Sequence, residues 1–294
     1  MRFRPFGALR PESRAVLLGA FAGFIALYPA NASAGGRDAA IVCDVRSGDV
    51  LFSQAADERR YPASLTKMMT LYVLFQDLQR GRYSLSSTLQ VSAYAAAQPR
   101  TNLGLKAGET ITVDQAIRAL VTHSANDAAV VIAENLEGSE QAMAERMTRT
   151  ARALGTASTY FRNASGLPHP DQYTTARDMM VIGAALRGHF PQYFGYFRTR
   201  SFAFRGRTLR SHNRLVGQVE GVDGIKTGYI RASGFNVVTS IQRGGRSIVA
   251  VVMGGATART RDEQMQALIA AYVPGPAFAT LRRVTEEGGR AVSR

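Results

Sequence analysis

Cysteine is almost missing from this chain of 294 residues: Cys43 stands alone, so no internal disulfide is available and stability must come from packing. Cys43 lies in an apolar strand pattern and reads as a small core residue, not a nucleophile. Histidine is sparse as well. His123, His169, His189 and His212 show no metal-ligand spacing, which leaves a zinc peptidase without support. Without a Gly-x-Ser-x-Gly they make no case for a Ser-His-Asp hydrolase either. Beyond residue 34 no stretch is apolar enough to span a bilayer, and internal repeats, low-complexity tracts and an interdomain linker are absent. The most telling scarcity is lysine. Of 36 Lys plus Arg, only Lys67, Lys106 and Lys226 are lysine. Arginine serves wherever a surface cation will do, and guanidinium does not give up its proton. A lysine kept against that bias points to chemistry that arginine cannot perform.

What is present begins with a targeting signal. Arg2, Arg4, Arg10 and Arg14 form a basic start, Ala15 to Ala30 is apolar, and Ala32-Ser33-Ala34 is a small-residue cleavage site. Residues 1–34 therefore read as a secretory signal peptide cleaved before Gly35, and the expected location is the periplasm. Setting aside those four arginines and Glu12 takes the formal net charge from +14 to +11. Such a basic protein suits polyanionic neighbours. Outside the cytoplasm these are anionic envelope polymers and lipid surfaces, giving peripheral contact, and the dispersed arginines argue against nucleic acid.

The exported part reads as strands at both ends with helices between. Ala40–Val45 and Val50–Phe52 flank a turn at 46–49. Helices are expected from Ala63 to about Arg80, Thr112 to Leu120, Asp127 to Leu136, Ser139 to Leu154 and Thr175 to Leu186, with 87–110 irregular. Ser201–Thr208 and Gly221–Thr227 look extended, Phe235–Gln242 and Arg246–Gly254 form a hairpin, and Arg261–Tyr272 is a last helix. The pattern implies an α/β (α+β) fold in one catalytic domain over 35–276. Residues 277–294 are expected to be a short disordered tail, at best a weak helix over Phe278–Glu287.

Three short motifs carry the chemistry. In Pro62-Ala63-Ser64-Leu65-Thr66-Lys67, Ser64 falls in the first turn of a helix and Lys67 comes round to the same face three residues on. A desolvated lysine can take the proton that makes a serine nucleophilic. Alone, the pattern could equally be an N-capping serine and a solvated lysine. Ser124-Ala125-Asn126 offers a hydroxyl relay beside an amide fork, or simply caps the Asp127 helix. Lys226-Thr227-Gly228 ends a strand whose edge can pair with an extended peptide, the glycine leaving room for close approach.

In this order and spacing the three resemble the penicillin-recognising serine enzymes, and within them the low-molecular-weight penicillin-binding proteins of the serine D-alanyl-D-alanine carboxypeptidase family. The wording of Ser124-Ala125-Asn126-Asp127-Ala128-Ala129, Gly166-Leu167-Pro168 and Val222-Asp223-Gly224-Ile225-Lys226-Thr227-Gly228-Tyr229 fits the same group, and the resemblance covers about residues 37 to 274. It implies a β-lactamase/DD-peptidase-like fold, an antiparallel sheet flanked by helices with an all-helical subdomain inserted. It also implies an acyl-enzyme on Ser64 with Lys67 as base, Ser124 and Lys226 passing the proton on, and Asn126 holding the substrate amide. Thr227 and Arg261 would bind the terminal carboxylate, and the backbone N–H groups of Ser64 and Tyr229 would hold the oxyanion beside Gly228. The implied partners are peptidoglycan stem peptides and, as covalent inhibitors, β-lactams, with no cofactor and no metal. The extra C-terminal domain and amphipathic anchor of many relatives are not expected here. A D,D-endopeptidase, a β-lactamase and a non-catalytic wall-binding protein are the competing readings; Glu134-Asn135 echoes a β-lactamase loop motif but, inside a helical pattern ten residues after Ser124, reads as a helix-end pair.

Overall fold

The computed structural model describes residues 37–273. The expected signal peptide, its cleavage before Gly35, and the tail over 277–294 lie outside the described residues. In chain order, β1 (Ala39–Asp44) and β2 (Val50–Gln54) are followed by a 3-10 turn over Ala63–Thr66 that runs into α1 (Lys67–Gln79). Next come β3 (Thr88–Gln90), α2 (Ala93–Ala96), β4 (Thr110–Thr112), α3 (Val113–Thr122), α4 (Asn126–Glu137) and α5 (Glu140–Ala153). Then α6 (Ala176–His189), α7 (Pro191–Phe194), β5 (Ser201–Phe204) and β6 (Arg207–Arg210) lead to the closing elements. These are β7 (Val222–Ile230), β8 (Gly234–Arg243), β9 (Arg246–Gly255) and α8 (Ala258–Tyr272).

An antiparallel sheet in the order β2-β1-β9-β8-β7 organises the molecule, so β7 is an edge strand. Strands such as β1 and β9 are apolar at successive positions, and the structure shows why. Ile41, Cys43, Val249 and Val251 join the large core on the helical face, while Ala40, Val42, Ala250 and Val252 pack with Met265 and Ile269 of α8 on the other. With both faces covered, polar alternation is lost. Cys43 is a buried member of that core, its thiol pushed up to about 11 by burial and then by Asp44 and Asp49. Helix α1 is buried on nearly every side. Its Leu71, Leu74 and Phe75 are fully buried and contribute roughly 2 kcal/mol apiece as an upper bound.

Local signals set most boundaries. Thr112 and Gln115 make a capping box on α3, Ser139 caps α5, Thr175 caps α6, and Gly138 closes α4 in the left-handed region. Four expectations differ in detail. The Ser64 segment starts as a 3-10 turn before α1 proper. The last helix begins at Ala258, ahead of Arg261, because Thr257 and Thr260 form a capping box there. Ser201–Thr208 is not one extended run but lies across the β5–β6 hairpin, which turns at Arg205-Gly206 with both residues at positive φ. Within the irregular stretch 87–110, β3 pairs with β4 and α2 makes one helical turn.

Two charged clusters fix the layers. Arg146 of α5 donates to Asp77 at 2.6 and 2.9 Å and to Glu137, tying α1 to the α4–α5 pair. Arg187 of α6 donates to Asp223 and, at 2.7 Å, to Ser240, pinning that helix to the β7–β8 end of the sheet.

Candidate functional site

Ser64 sits in the 3-10 turn where the chain enters α1, and Lys67 is the first residue of that helix. The ordinary alternative for this pair fails on both counts: Ser64 makes no capping bond, and Lys67 is fully buried. Lys67 Nζ donates to Asn126 Oδ1 at 2.8 Å and to the Ser165 carbonyl at 2.5 Å, and lies 3.3 Å from Ser64 Oγ. Burial holds its pKa well below the ordinary value, and the positive charge of Lys226 pushes the same way against Glu140 and Asp127. A neutral amine has two N–H groups and one lone pair. In the neutral form the two carbonyl oxygens would take both N–H groups and leave the lone pair to the Ser64 hydroxyl.

Ser124 and Asn126 arrive from the α3–α4 junction. The N-cap of α4 is Ala125 and carries no side-chain bond, so neither residue is a cap. Ser124 has φ +59, a left-handed setting costing roughly 1 kcal/mol for a non-glycine residue, and its buried Oγ has no hydrogen-bond partner. Thr101 holds that strained residue by donating to its carbonyl at 3.0 Å. Asn126 Nδ2 donates to Pro99 at 3.0 Å, so both ends of its amide are engaged. Asp127 behind it accepts from the backbone N–H groups of Leu103, Gly104 and Leu105, fastening the 99–105 loop over the site.

Strand β7 supplies the third wall. A Cβ at Gly228 would stand 3.0 Å from Pro62 O and Ser64 N, so only glycine lets this strand lie against the Ser64 turn. Lys226 is buried, donates to the Thr227 carbonyl at 2.8 Å, and is drawn down to about 7 by burial and then by Arg261. Tyr229 is half exposed and stacks on Phe235, ring centroids 4.2 Å apart. Arg261 of α8 is buried, paired with Asp262 at 2.8 Å and bonded to the Asn236 carbonyl at 2.9 Å. Ser64, Ser124, Asn126, Thr227, Gly228, Tyr229 and Arg261 all line one cleft of about 550 Å³, with Lys67 and Lys226 buried beneath them. Lys106, by contrast, is exposed and does not line the cleft, so two of the three scarce lysines lie at the candidate site.

Residues outside the three motifs complete the site. Ser165 acts through its carbonyl, which no side-chain pattern reveals. Gly166 has φ +85, and a Cβ there would come 2.0 Å from the Ala63 oxygen, so the 163–168 loop is moulded against the Ser64 turn. Asn163 shapes the loop by accepting from Gly166 N at 2.7 Å. Asn236, fully buried in an apolar strand, donates to Tyr61 at 3.1 Å and accepts from Gly254 N at 3.0 Å; a lone Asn among Phe235, Val237 and Val238 was the available signal. Arg100, His212 and Arg214 also line the cleft. His212 is drawn down to about 4 by desolvation of its ring and by Lys226, His123 and Lys67. Glu134 and Asn135 are engaged elsewhere, accepting from Ser92 at 2.6 Å and from Gln90 N at 2.9 Å.

The comparison with known proteins now decides the family. The family model described as D-alanyl-D-alanine carboxypeptidase matches residues 29–257, well over half the chain. The chain belongs to that family. The D-alanyl-D-alanine carboxypeptidase DacA of Escherichia coli (strain K12) is 37% identical over 236 residues, covering 78% of this chain and 59% of the relative. This chain thus spans about three fifths of the curated relatives it matches first. Among solved structures, penicillin binding protein 5 from Haemophilus influenzae superposes with a TM-score of 0.76 at 30% identity over 79% of this chain and 69% of that one. Penicillin-Binding Protein D2 from Listeria monocytogenes, in its ampicillin-bound form, gives 0.68 at 29% identity over 79% and 95%. The α/β fold expected from the motifs is therefore the fold of this family.

Proposed function

We propose that this protein is an exported serine D-alanyl-D-alanine carboxypeptidase that removes the terminal D-alanine from peptidoglycan stem peptides. The observation that carries the reading is the fully buried Lys67, its pKa held well down by desolvation, with Nζ 2.8 Å from Asn126 Oδ1, 2.5 Å from the Ser165 carbonyl and 3.3 Å from Ser64 Oγ. Ser64 Oγ attacks the carbonyl between the two D-alanines while its proton passes to Lys67 Nζ. The backbone N–H groups of Ser64 and Tyr229 hold the oxyanion at the head of the helical segment. Collapse of the intermediate breaks the C–N bond, and the Ser124 hydroxyl, unpartnered in the structure, relays a proton with Lys226 to the departing amine. D-Alanine leaves, and water hydrolyses the ester on Ser64.

Substrate placement follows from the same walls. The edge of β7 pairs with the peptide backbone, Asn126 exchanges its Pro99 contact for the substrate amide, and Thr227 with Arg261 takes the terminal carboxylate. β-Lactams present the same carbonyl and carboxylate and acylate Ser64. In this reading residues 1–34 are removed before Gly35 and the mature enzyme works in the periplasm, its basic surface lying against anionic envelope material.

The test uses residues 35–294 on a mixture of pentapeptide monomers and cross-linked muropeptides, followed by mass spectrometry with Ser64→Ala as control. Loss of one alanine from the monomers is the expected result. Loss of cross-linked dimers alone makes the protein a D,D-endopeptidase. Identical spectra for wild type and Ser64→Ala leave a wall-binding protein or a β-lactamase.

A further inference from the structure

Beside the catalytic cleft lies a second cavity of about 750 Å³, and the two share Ser211 and Arg214 as a common wall. Arg200 at the start of the β5–β6 hairpin, Arg210 at its end and Arg214 just beyond converge on this cavity, and no carboxylate lines it. Several arginines elsewhere in the described residues are paired, among them Arg118 with Asp114, Arg146 with Asp77, Arg177 with Asp57, Arg187 with Asp223 and Arg205 with Glu109. Among the described residues none of the three cavity arginines has an acidic partner, and Arg200 lies over the backbone at Gly217. A second, independent feature points the same way. Asn213, only 7% exposed, lines the cavity; its Oδ1 accepts from Leu215 N at 3.3 Å, but its Nδ2 has no hydrogen-bond partner. A buried amide donor without an acceptor costs about 1–3 kcal/mol unless a ligand satisfies it.

We infer that this cavity is an anionic subsite that binds carboxylates of the peptide substrate away from the scissile bond, on Arg200, Arg210 and Asn213 with Arg214 shared between the two cavities. Guanidinium forks match planar carboxylates, and arginines held apart without counter-charges retain their donors for an incoming anion. The contiguity with the Ser64 cleft selects the occupant. The shared wall sets this cavity directly beside the cleft that takes the terminal D-alanines. An anionic polymer or lipid headgroup arriving separately gains nothing from the shared wall at Ser211 and Arg214. The inference deepens the proposed carboxypeptidase and rests on that reading for the identity of the peptide.

The experiment compares two peptides ending in D-alanyl-D-alanine, one with carboxylates on the preceding residues and its twin with these amidated. Binding is measured to the Ser64→Ala protein, with and without Arg200→Gln and Arg210→Gln together, so that it does not depend on turnover; hydrolysis by the Ser64 enzyme is measured separately. The acid twin is expected to bind at least about tenfold more tightly, the scale of one charge-assisted hydrogen bond. The paired glutamine substitutions erase that preference while leaving the amidated twin, and penicillin acylation of the Ser64 form, unchanged. Equal binding of the twins, or a preference that survives both substitutions, overturns the subsite. Loss of sedimentation with phosphatidylglycerol vesicles in the glutamine variants, with no discrimination between twins, overturns it in favour of a lipid surface. A preference for the acid twin without hydrolysis of either supports the subsite and removes the carboxypeptidase; hydrolysis of both without preference does the reverse.

Discussion

Asn126→Asp isolates the protonation state of Lys67 with a change of one atom type. The Asn126 oxygen lies 2.8 Å from Lys67 Nζ; a full charge there, at an effective dielectric of 20, is worth roughly 6 kcal/mol, or about four pKa units. That raises the Lys67 pKa and favours the ammonium. Its third N–H then points at Ser64 Oγ, and the lone pair that would take the proton is gone. Removing a general base of this kind lowers rates by about 10²–10⁴. The second-order rate of acylation by a fluorescent penicillin is the assay, followed from pH 6 to 10 for wild type, Asn126→Asp and Asn126→Ala. Both variants remove the Asn126 amide, and Asn126→Ala shows what its loss costs without an added charge. Asn126→Asp is expected to be slower than Asn126→Ala by at least about a hundredfold at pH 7 and to recover as pH rises. Equal rates at pH 7 with parallel pH profiles would falsify the neutral-lysine argument.

Gly166→Ala drives a methyl group to 2.0 Å from the Ala63 oxygen and is expected to abolish penicillin acylation, whereas Gly155→Ala, also at positive φ but with open space around it, costs about 1 kcal/mol and leaves acylation intact; equal effects in the two would show that the loop does not brace Ser64. Lys226 has a folded-state pKa of about 7 against an ordinary 10.5, so below pH 7 both states are protonated and the folded protein bears the full desolvation penalty. As pH rises from 7 towards 10.5 that penalty is relieved, and the Tm advantage of Lys226→Met over wild type is expected to shrink; a constant difference across this window would contradict it. Arg146→Met leaves Asp77 buried with only the half-exposed Arg82 at 2.8 Å, and urea unfolding is expected to show a loss of about 3 kcal/mol. A loss below measurement error would mean that Arg82 alone compensates Asp77.

The sheet was legible because its strands carry runs that only a doubly covered strand tolerates, and the helices because Thr112, Ser139 and Thr175 announce their starts. Where such signals fail, so did the boundaries. Arg205 is not a residue that announces a tight turn, so the β5–β6 hairpin read as one strand. Thr257 and Thr260 close a capping box that starts α8 at Ala258, three residues ahead of Arg261. The Ser64–Lys67 pairing is local geometry, three residues apart on one turn, and the rarity of lysine marked both catalytic candidates in a chain otherwise supplied with arginine. Whether Lys67 is a base or an ammonium was not local at all. It is set first by burial and then by the charge of Lys226, opposed by Glu140 and Asp127, all distant from Lys67 along the chain. Proton affinity depends on desolvation and on which dipoles face the nitrogen, and the chain acquires both only when distant segments meet. The arginine-lined cavity has the same origin: Arg200, Arg210 and Asn213 are ordinary residues along the chain, and only the β5–β6 hairpin and its place beside the Ser64 cleft set them around one space.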